Sequence, residues 1–381
     1  MSAGTRRRSS GHLNVGHAGA AASPMTKALP LQNSDATGPR SPTRKLFTTP
    51  TGWLFLLLAS CVLYYLATAD RPSTLPDQAN YVTYFEITNW QWVVDYFSQS
   101  TSALNLAIGL VTDELGWRTW IILVNSLGVS PETGVRITVV FLNALVFYTL
   151  SRLSRPLLGL LLWLVIPSAL AIVGLFQIRQ GFAFAVAMLV AISFKRPILG
   201  ALLASAIHTT FAVPAILLIV TRMSGPKLKI ALPAASVSAI LVAMAGRVLF
   251  QDYGGRRIAE YAGYEAGFTI RLLILMITYG IASAMVLYQM PTEDKTSQPP
   301  SLRELAIMHI ALIVYLAAAF LVFPFGKDRV FYYVSLLLPY FAQEIKVRNP
   351  VSLWMLLVLY LMIAAEVALE EAKGLYVYLL Q

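Results

Sequence analysis

From Leu157 to Phe194 the chain runs 38 residues with one charged side chain, Arg179. A stretch that long and that apolar does not fit a water-soluble fold; it exceeds the roughly 20 residues that cross a bilayer once and fits two passes. In lipid, backbone polar groups must be satisfied within the segment, so only helices or a closed barrel can span. Strand-like alternation is absent here, which leaves helices. The rest of the chain agrees, with 57% hydrophobic residues, 13% charged residues and a mean hydropathy of +0.65. A soluble domain would carry about a quarter charged residues. The expectation is an all-α polytopic membrane protein, one integral membrane domain over 51–381.

The formal net charge of +10 is concentrated at the N-terminus. Residues 1–50 carry Arg6, Arg7, Arg8, Lys27, Arg40, Arg44 and Lys45 against Asp35, in a Ser-, Gly-, Ala- and Pro-rich background. That composition predicts a disordered basic tail on the cytoplasmic side. It offers no aromatic or motif support for nucleic-acid binding. The "LATAD" after the first apolar run looks like a cleavage site, but some 50 residues precede it, so an uncleaved first span is expected. Cys61 is the one cysteine, and His12, His17, His208 and His309 have no metal-site spacing. Neither a metal nor a cofactor is expected.

Hydropathy and basic flanks place spans at 52–69, 135–150, 157–175 and 181–194, then 230–250, 268–289, 305–323, 330–341 and 351–369. That makes about nine transmembrane helices, with the N-terminus cytoplasmic. Residues 70–134 are too polar to span and rich in Trp and Tyr. They read as an extracytoplasmic segment of amphipathic helices. Residues 198–221 are interrupted by His208, Thr209, Thr210 and Pro214 and return to a basic cluster. A re-entrant helix pair fits them better than a straight crossing, because polar groups at membrane depth must face protein or a wet cavity.

With this topology Arg179 lies at an outer hairpin, beside Gln177, Gln180 and Gly181. Positive charge there runs against the usual inside bias. Two more outer loops share the feature, through Arg256 and Arg257 followed by Tyr261 and Tyr264, and through Lys327 and Arg329. Guanidinium forks bind phosphate bidentately and never deprotonate, so arginines from three loops point to one anion; each is also compatible with an ordinary loop charge. Asp77 and Glu114, on the same side, are candidates for orienting or deprotonating a hydroxyl, or are solvated surface charges. His208 is an alternative base or a structural hydrogen-bonding group. His309 is assigned no role.

In order along 70–345, the pieces "DQANYVTYF", "DELGWRTW", "IRQGFAFAVAM", "ASAIHTTF" and "KDRVFYYV" resemble the EpsG family of Wzy-like bacterial polysaccharide polymerases. Two positions depart from the family pattern. Glu114-Leu115-Gly116 stands where an acid-proline-glycine is usual, and Thr209 stands where serine is common. The resemblance implies an architecture like that of C-type glycosyltransferases. It implies glycosyl transfer at the outer face of the bacterial inner membrane, on oligosaccharide repeat units (exopolysaccharide or O-antigen) linked to polyprenyl pyrophosphate. Catalysis would then fall to Glu114, Asp77 and His208, and pyrophosphate binding to Arg179, Arg329, Arg256 and Arg257. Gln180, Tyr261 and Tyr264 would contact substrate. A chain-length regulator protein is a candidate partner. A glycan ligase of similar architecture, a secondary transporter of an anionic solute and a membrane acyltransferase are the competing readings.

Overall fold

A computed structural model describes residues 48–68, 77–99, 109, 111–253, 270–289, 300–322, 327–347 and 350–371. The tail at 1–47 and the loop bearing Arg256, Arg257, Tyr261 and Tyr264 lie outside the described residues. Among the described residues the secondary structure is helical, with no strand.

Among the described residues five helices are long and apolar enough to cross a membrane: α1 (Pro50–Thr68), α5 (Pro131–Ser151), α10 (Leu228–Tyr253), α12 (Pro300–Val322) and α15 (Pro350–Glu371). Four of them open at proline, as do α6 (Pro156–Val165) and α8 (Pro197–Ile207). Proline suits the first helical position, where its missing N–H would have no partner anyway. At α5, Ser130 completes the start by accepting the Thr133 N–H on Oγ at 3.3 Å. Helices α1 and α15 leave Trp53, Leu57, Tyr64, Trp354 and Leu361 exposed, surface that lipid would cover. Helix α10 instead turns Ala231, Ala235, Ala239 and Ala243 inward and packs along α12; small side chains let two helices approach closely.

The described residues thus show five of the nine expected spans as long apolar helices, and most of the other expected runs take bent or broken forms. The run at 157–175 is not straight. Helix α6 and a π-helix at Ser168–Phe176 meet at 70°, and counting that pair as one span gives six. Pro167 and the extended backbone at Ile166 break the ladder there. The π-helix closes on i→i+5 bonds, including Ile172 N–H to Pro167 O at 3.0 Å and Gln177 N–H to Ile172 O at 2.7 Å. The next run is α7 (Ile178–Met188) continued by a π-turn at Leu189–Ser193. The segment expected to re-enter comes as α8, a 3₁₀ turn at Thr209–Phe211, and α9 (Ala212–Met223), with α8 and α9 packed on each other. The run at 330–341 is divided between α13 (Lys327–Leu336) and α14 (Leu338–Glu344). Helix α11 (Ile270–Gln289) completes the set of long helices.

Among the described residues between α1 and α5, the short helices α2 (Gln78–Ile87), α3 (Trp90–Gln99) and α4 (Leu115–Asn125) are each too short to cross a bilayer. Helix α3 exposes Trp90, Val94 and Phe97, an i, i+4, i+7 stripe along one face.

Two buried amides fix the bent region. Asn143 on α5 donates to Gly174 O at 3.1 Å and accepts from Trp163 Nε1 at 3.0 Å, joining α5, α6 and the π-helix. Gln78 on α2 donates to Leu175 O at 2.8 Å. Gly181 then lets α7 lie against the π-helix, since a Cβ there would collide with the Val173 carbonyl. At one end of the bundle, Lys346 N–H donates to Gln289 Oε1 at 2.7 Å, and Ser154 Oγ donates to Gln343 O at 2.6 Å. The ends of α5, α11 and α14 therefore share a side, the side on which the basic flanks had been expected.

Candidate active site

Three helices begin at one place. Glu114 is the N-cap of α4, Arg179 is the second residue of α7 and Arg329 the third of α13. The break after α8 adds His208 and Thr209. Helix N-termini present partial positive charge, so the place is electropositive before side chains are counted.

Glu114 sits at the centre. Arg179 Nη1 donates to its Oε2, with the two side chains 11% and 4% exposed. Its Oε1 accepts the Thr209 N–H at 3.3 Å and lies 3.1 Å from His208 Nδ1. The backbone there is left-handed, φ 54°, where glycine or asparagine is more at home. Such a conformation costs of order 1–3 kcal/mol and persists where the surroundings over-determine it. Part of the reason is Gly116, whose absent side chain lets the start of α4 meet the end of α8; a Cβ would lie 2.9 Å from Ala206 O. The Glu114 side chain is turned away from its own helix end, which it does not cap, toward Arg179.

Arg329 Nη1 lies 3.2 Å from His208 Nε2. A guanidinium has only donors, so Nε2 accepts, and the neutral ring carries its hydrogen on Nδ1, facing Glu114. His208 thus lies between Arg329 and the carboxylate, with Nδ1 close to Glu114 Oε1 but not aligned for a hydrogen bond. Gln180 Nε2 donates to the Arg329 carbonyl at 2.7 Å, tying α7 to α13. Gln180 Oε1, Gln177 Oε1 and Arg179 Nε are buried with no hydrogen-bond partner among the described residues. With His208 neutral, Arg179, Arg329 and Glu114 sum to one net positive charge. Buried charge without a counter-charge is unfavourable, so this arrangement suits an anion.

Tyrosines close the other sides. Tyr81 is buried on α2 near Arg179, and burial pushes its phenol up to about 12, so it remains a neutral donor. Tyr84, one turn on, has the Arg179 guanidinium carbon 5.7 Å from its ring centroid. Thr210 and Tyr333 share a hydroxyl–hydroxyl bond of 2.5 Å, and Phe211 packs on Tyr333 with centroids 4.1 Å apart.

Of the residues expected in a site, Glu114, Arg179, Gln180, His208 and Arg329 come together from four separate stretches of chain. Asp77 does not join them directly. It is exposed at the N-cap of α2, left-handed at φ 64°, a turn before Tyr81, and makes no ion pair with either arginine. Arg256, Arg257, Tyr261 and Tyr264 fall outside the described residues. Sequence reasoning missed Tyr84 and Arg118 as site neighbours; the i+4 spacing of Arg118 from Glu114 was the available signal. His309 is structural, with Nε2 2.7 Å from Val334 O and Nδ1 2.5 Å from Ser283 Oγ.

A comparison with curated proteins and one with solved structures return no match. The family model described as the EpsG family matches residues 53–380, which include every residue of this cluster. The chain is a multi-pass membrane protein that belongs to the EpsG family, a Wzy-like polysaccharide polymerase family.

Proposed function

We propose that this protein joins oligosaccharide repeat units carried on polyprenyl pyrophosphate, by glycosyl transfer at the outer face of the bacterial inner membrane. The observation that carries this reading is the largely buried cluster of Arg179 and Arg329 around the single carboxylate Glu114, with His208 between Arg329 and that carboxylate, a net positive charge among the described side chains. In the reaction an acceptor hydroxyl attacks the anomeric carbon of the growing glycan. The bond from that carbon to the diphosphate breaks, and its electron pair stays on the phosphate oxygen. Arg179 and Arg329 stabilise that charge where it develops, an effect worth a few kcal/mol per well-placed donor. A phosphate that takes over Arg179 loosens its hold on Glu114, which then accepts the hydroxyl proton. His208, neutral and held by Arg329, orients the carboxylate. The amide oxygen of Gln180, buried without a hydrogen-bond partner among the described residues, would accept from a sugar hydroxyl. Asp77, exposed ahead of α2, is a second acid within this scheme, which also assigns Arg256 and Arg257 to the diphosphate and Tyr261 and Tyr264 to the sugar.

The same reading sets the topology: basic tail inside, the bent and broken helices counted as further passes to about nine, α8 and α9 as a re-entrant pair, and an architecture resembling C-type glycosyltransferases. A chain-length regulator would act on the growing product. The test is incubation of the purified protein with lipid-linked repeat units, with products resolved by size. Wild type should give a ladder, and Arg179→Ala should give none while remaining inserted in the membrane. A ladder of normal length from Arg179→Ala removes Arg179 from the reaction. Transport of an unaltered substrate into vesicles, with no ladder, overturns the enzymatic reading.

A further inference from the structure

Arg118 lies on α4 one turn after Glu114 and has a setting unlike the other arginines. Its guanidinium carbon is 4.8 Å from the Tyr84 ring centroid and 4.8 Å from that of Trp92. Nη1 donates to Thr88 Oγ1 at 2.6 Å. Trp92 is in turn stacked on Tyr96, with centroids 5.5 Å apart. The cation therefore lies over two aromatic rings and is hydrogen-bonded at one corner. It forms no ion pair with a carboxylate among the described residues and is only partly buried. Cation–π contact engages the face of a guanidinium, whereas hydrogen bonding to an anion uses its edge. One of its five N–H donors goes to Thr88.

Tyr84 connects this arginine to the site. The same ring has Arg179 5.7 Å away, so the two guanidinium carbons are no farther apart than those two distances together. Two adjacent tetrahedral anions, each hydrogen-bonded at about 2.7–2.9 Å, bridge such a span. Two cations sharing one tyrosine ring repel each other, and an anion with charge at both ends relieves both.

We propose that Arg118 is a second phosphate-binding guanidinium: Arg179 and Arg329 hold one phosphate of the lipid carrier and Arg118 the other. The site then discriminates a lipid diphosphate from the corresponding monophosphate. This rests on the lipid-diphosphate reading of the site. The consequence is that the diphosphate leaving group is held at both ends while its bond breaks, whereas a lipid monophosphate gains nothing from Arg118.

The test uses full-length protein in lipid nanodiscs, with farnesyl diphosphate and farnesyl monophosphate as probes and binding measured by calorimetry. Wild type should prefer the diphosphate by about tenfold or more, the size of one charge-assisted contact. Arg118→Gln should abolish that preference while leaving monophosphate affinity within about twofold, and Arg179→Gln should weaken both probes. Equal weakening of both probes by Arg118→Gln shows that it acts through the Tyr84–Trp92 packing and overturns the proposal. So does an unchanged preference. Thr88→Val, which removes the corner contact but keeps the charge, should retain the preference. Free glucuronate should not compete; competition that depends on Arg118 assigns the residue to an acidic sugar and overturns the phosphate assignment. If Arg179→Gln also leaves both affinities unchanged, the lipid-diphosphate reading itself fails.

Discussion

At the scale of single residues, the chemistry turns on one carboxylate held between two cations and an imidazole. Removing one member of a buried ion pair leaves the other uncompensated and costs about 3–5 kcal/mol, whereas removing both is often nearly neutral. Glu114→Ala should therefore lower the melting temperature more than the Glu114→Ala/Arg179→Ala double variant does. Thermal melts of the three proteins in detergent check this; additive losses would mean that the two side chains do not share a buried pair. The tautomer of His208 separates orientation from base catalysis. His208→Asn keeps an N–H near the Nδ1 position and should retain measurable polymerisation. Glu114→Gln, which cannot accept the proton, should fall by about two to four orders of magnitude. Product ladders from both variants decide between the two roles. Arg179 and Arg329, which the fold brings to one cluster, stood out in the sequence because positive charge in loops expected outside runs against the inside bias. Arg118 was not, because a cation caged by aromatic rings looks like any arginine in a polar, aromatic stretch.

At the scale of elements, the site depends on how α7 leaves the π-helix. Gly181→Val places a branched side chain against the Val173 carbonyl. Overpacking of this kind costs typically 1–3 kcal/mol, and here it pushes the start of α7, with Arg179, away from Glu114. The expected outcome is a protein that inserts but makes no long product, read by membrane fractionation and the same ladder. This part of the fold was only half visible beforehand. A window of apolar residues reports length and grease, and so 157–175 read as one straight span. The choice between i→i+4 and i→i+5 bonding is made by Asn143, Gln78 and the glycines, each acting from elsewhere in the chain. The break at His208 was visible because polar residues and proline interrupt the apolar pattern there.

At the scale of the whole molecule, all titratable members of the cluster lie where α4, α7 and α13 begin, while Lys195 follows α7 at its other end. Helix α7 and its π-turn, Ile178–Ser193, separate Arg179 from Lys195 by at most about 24 Å along the axis, most of a bilayer's apolar thickness of about 30 Å. With Cys61 replaced by serine, cysteines at Lys195 and Lys346 should react with a membrane-impermeant maleimide from one side, and a cysteine at Asp77 from the other. Labelling of intact cells against opened vesicles measures this; a common side for all three contradicts the proposed orientation. The expectation of this polarity comes from the basic flanks in the sequence. The count of passes was less readable, since bent pairs and short helices share the composition of straight spans.

The π-helix ahead of Arg179 also constrains how this chain tolerates change. A π turn holds more residues than an α turn, and such segments are commonly single-turn bulges within α-helices. Swapping one apolar side chain for another between Ser168 and Phe176 leaves the angular phase of everything downstream intact. Asn143 and Gln78 hold the Gly174 and Leu175 carbonyls and keep this winding in place, so deleting any one residue of the π-helix withdraws one residue's share of a turn, somewhat under the about 100° of an α-helix, and rotates α7 relative to Glu114. The guanidinium would then point into lipid or neighbouring helices. The greasiest part of the protein should accept many spellings but only one length.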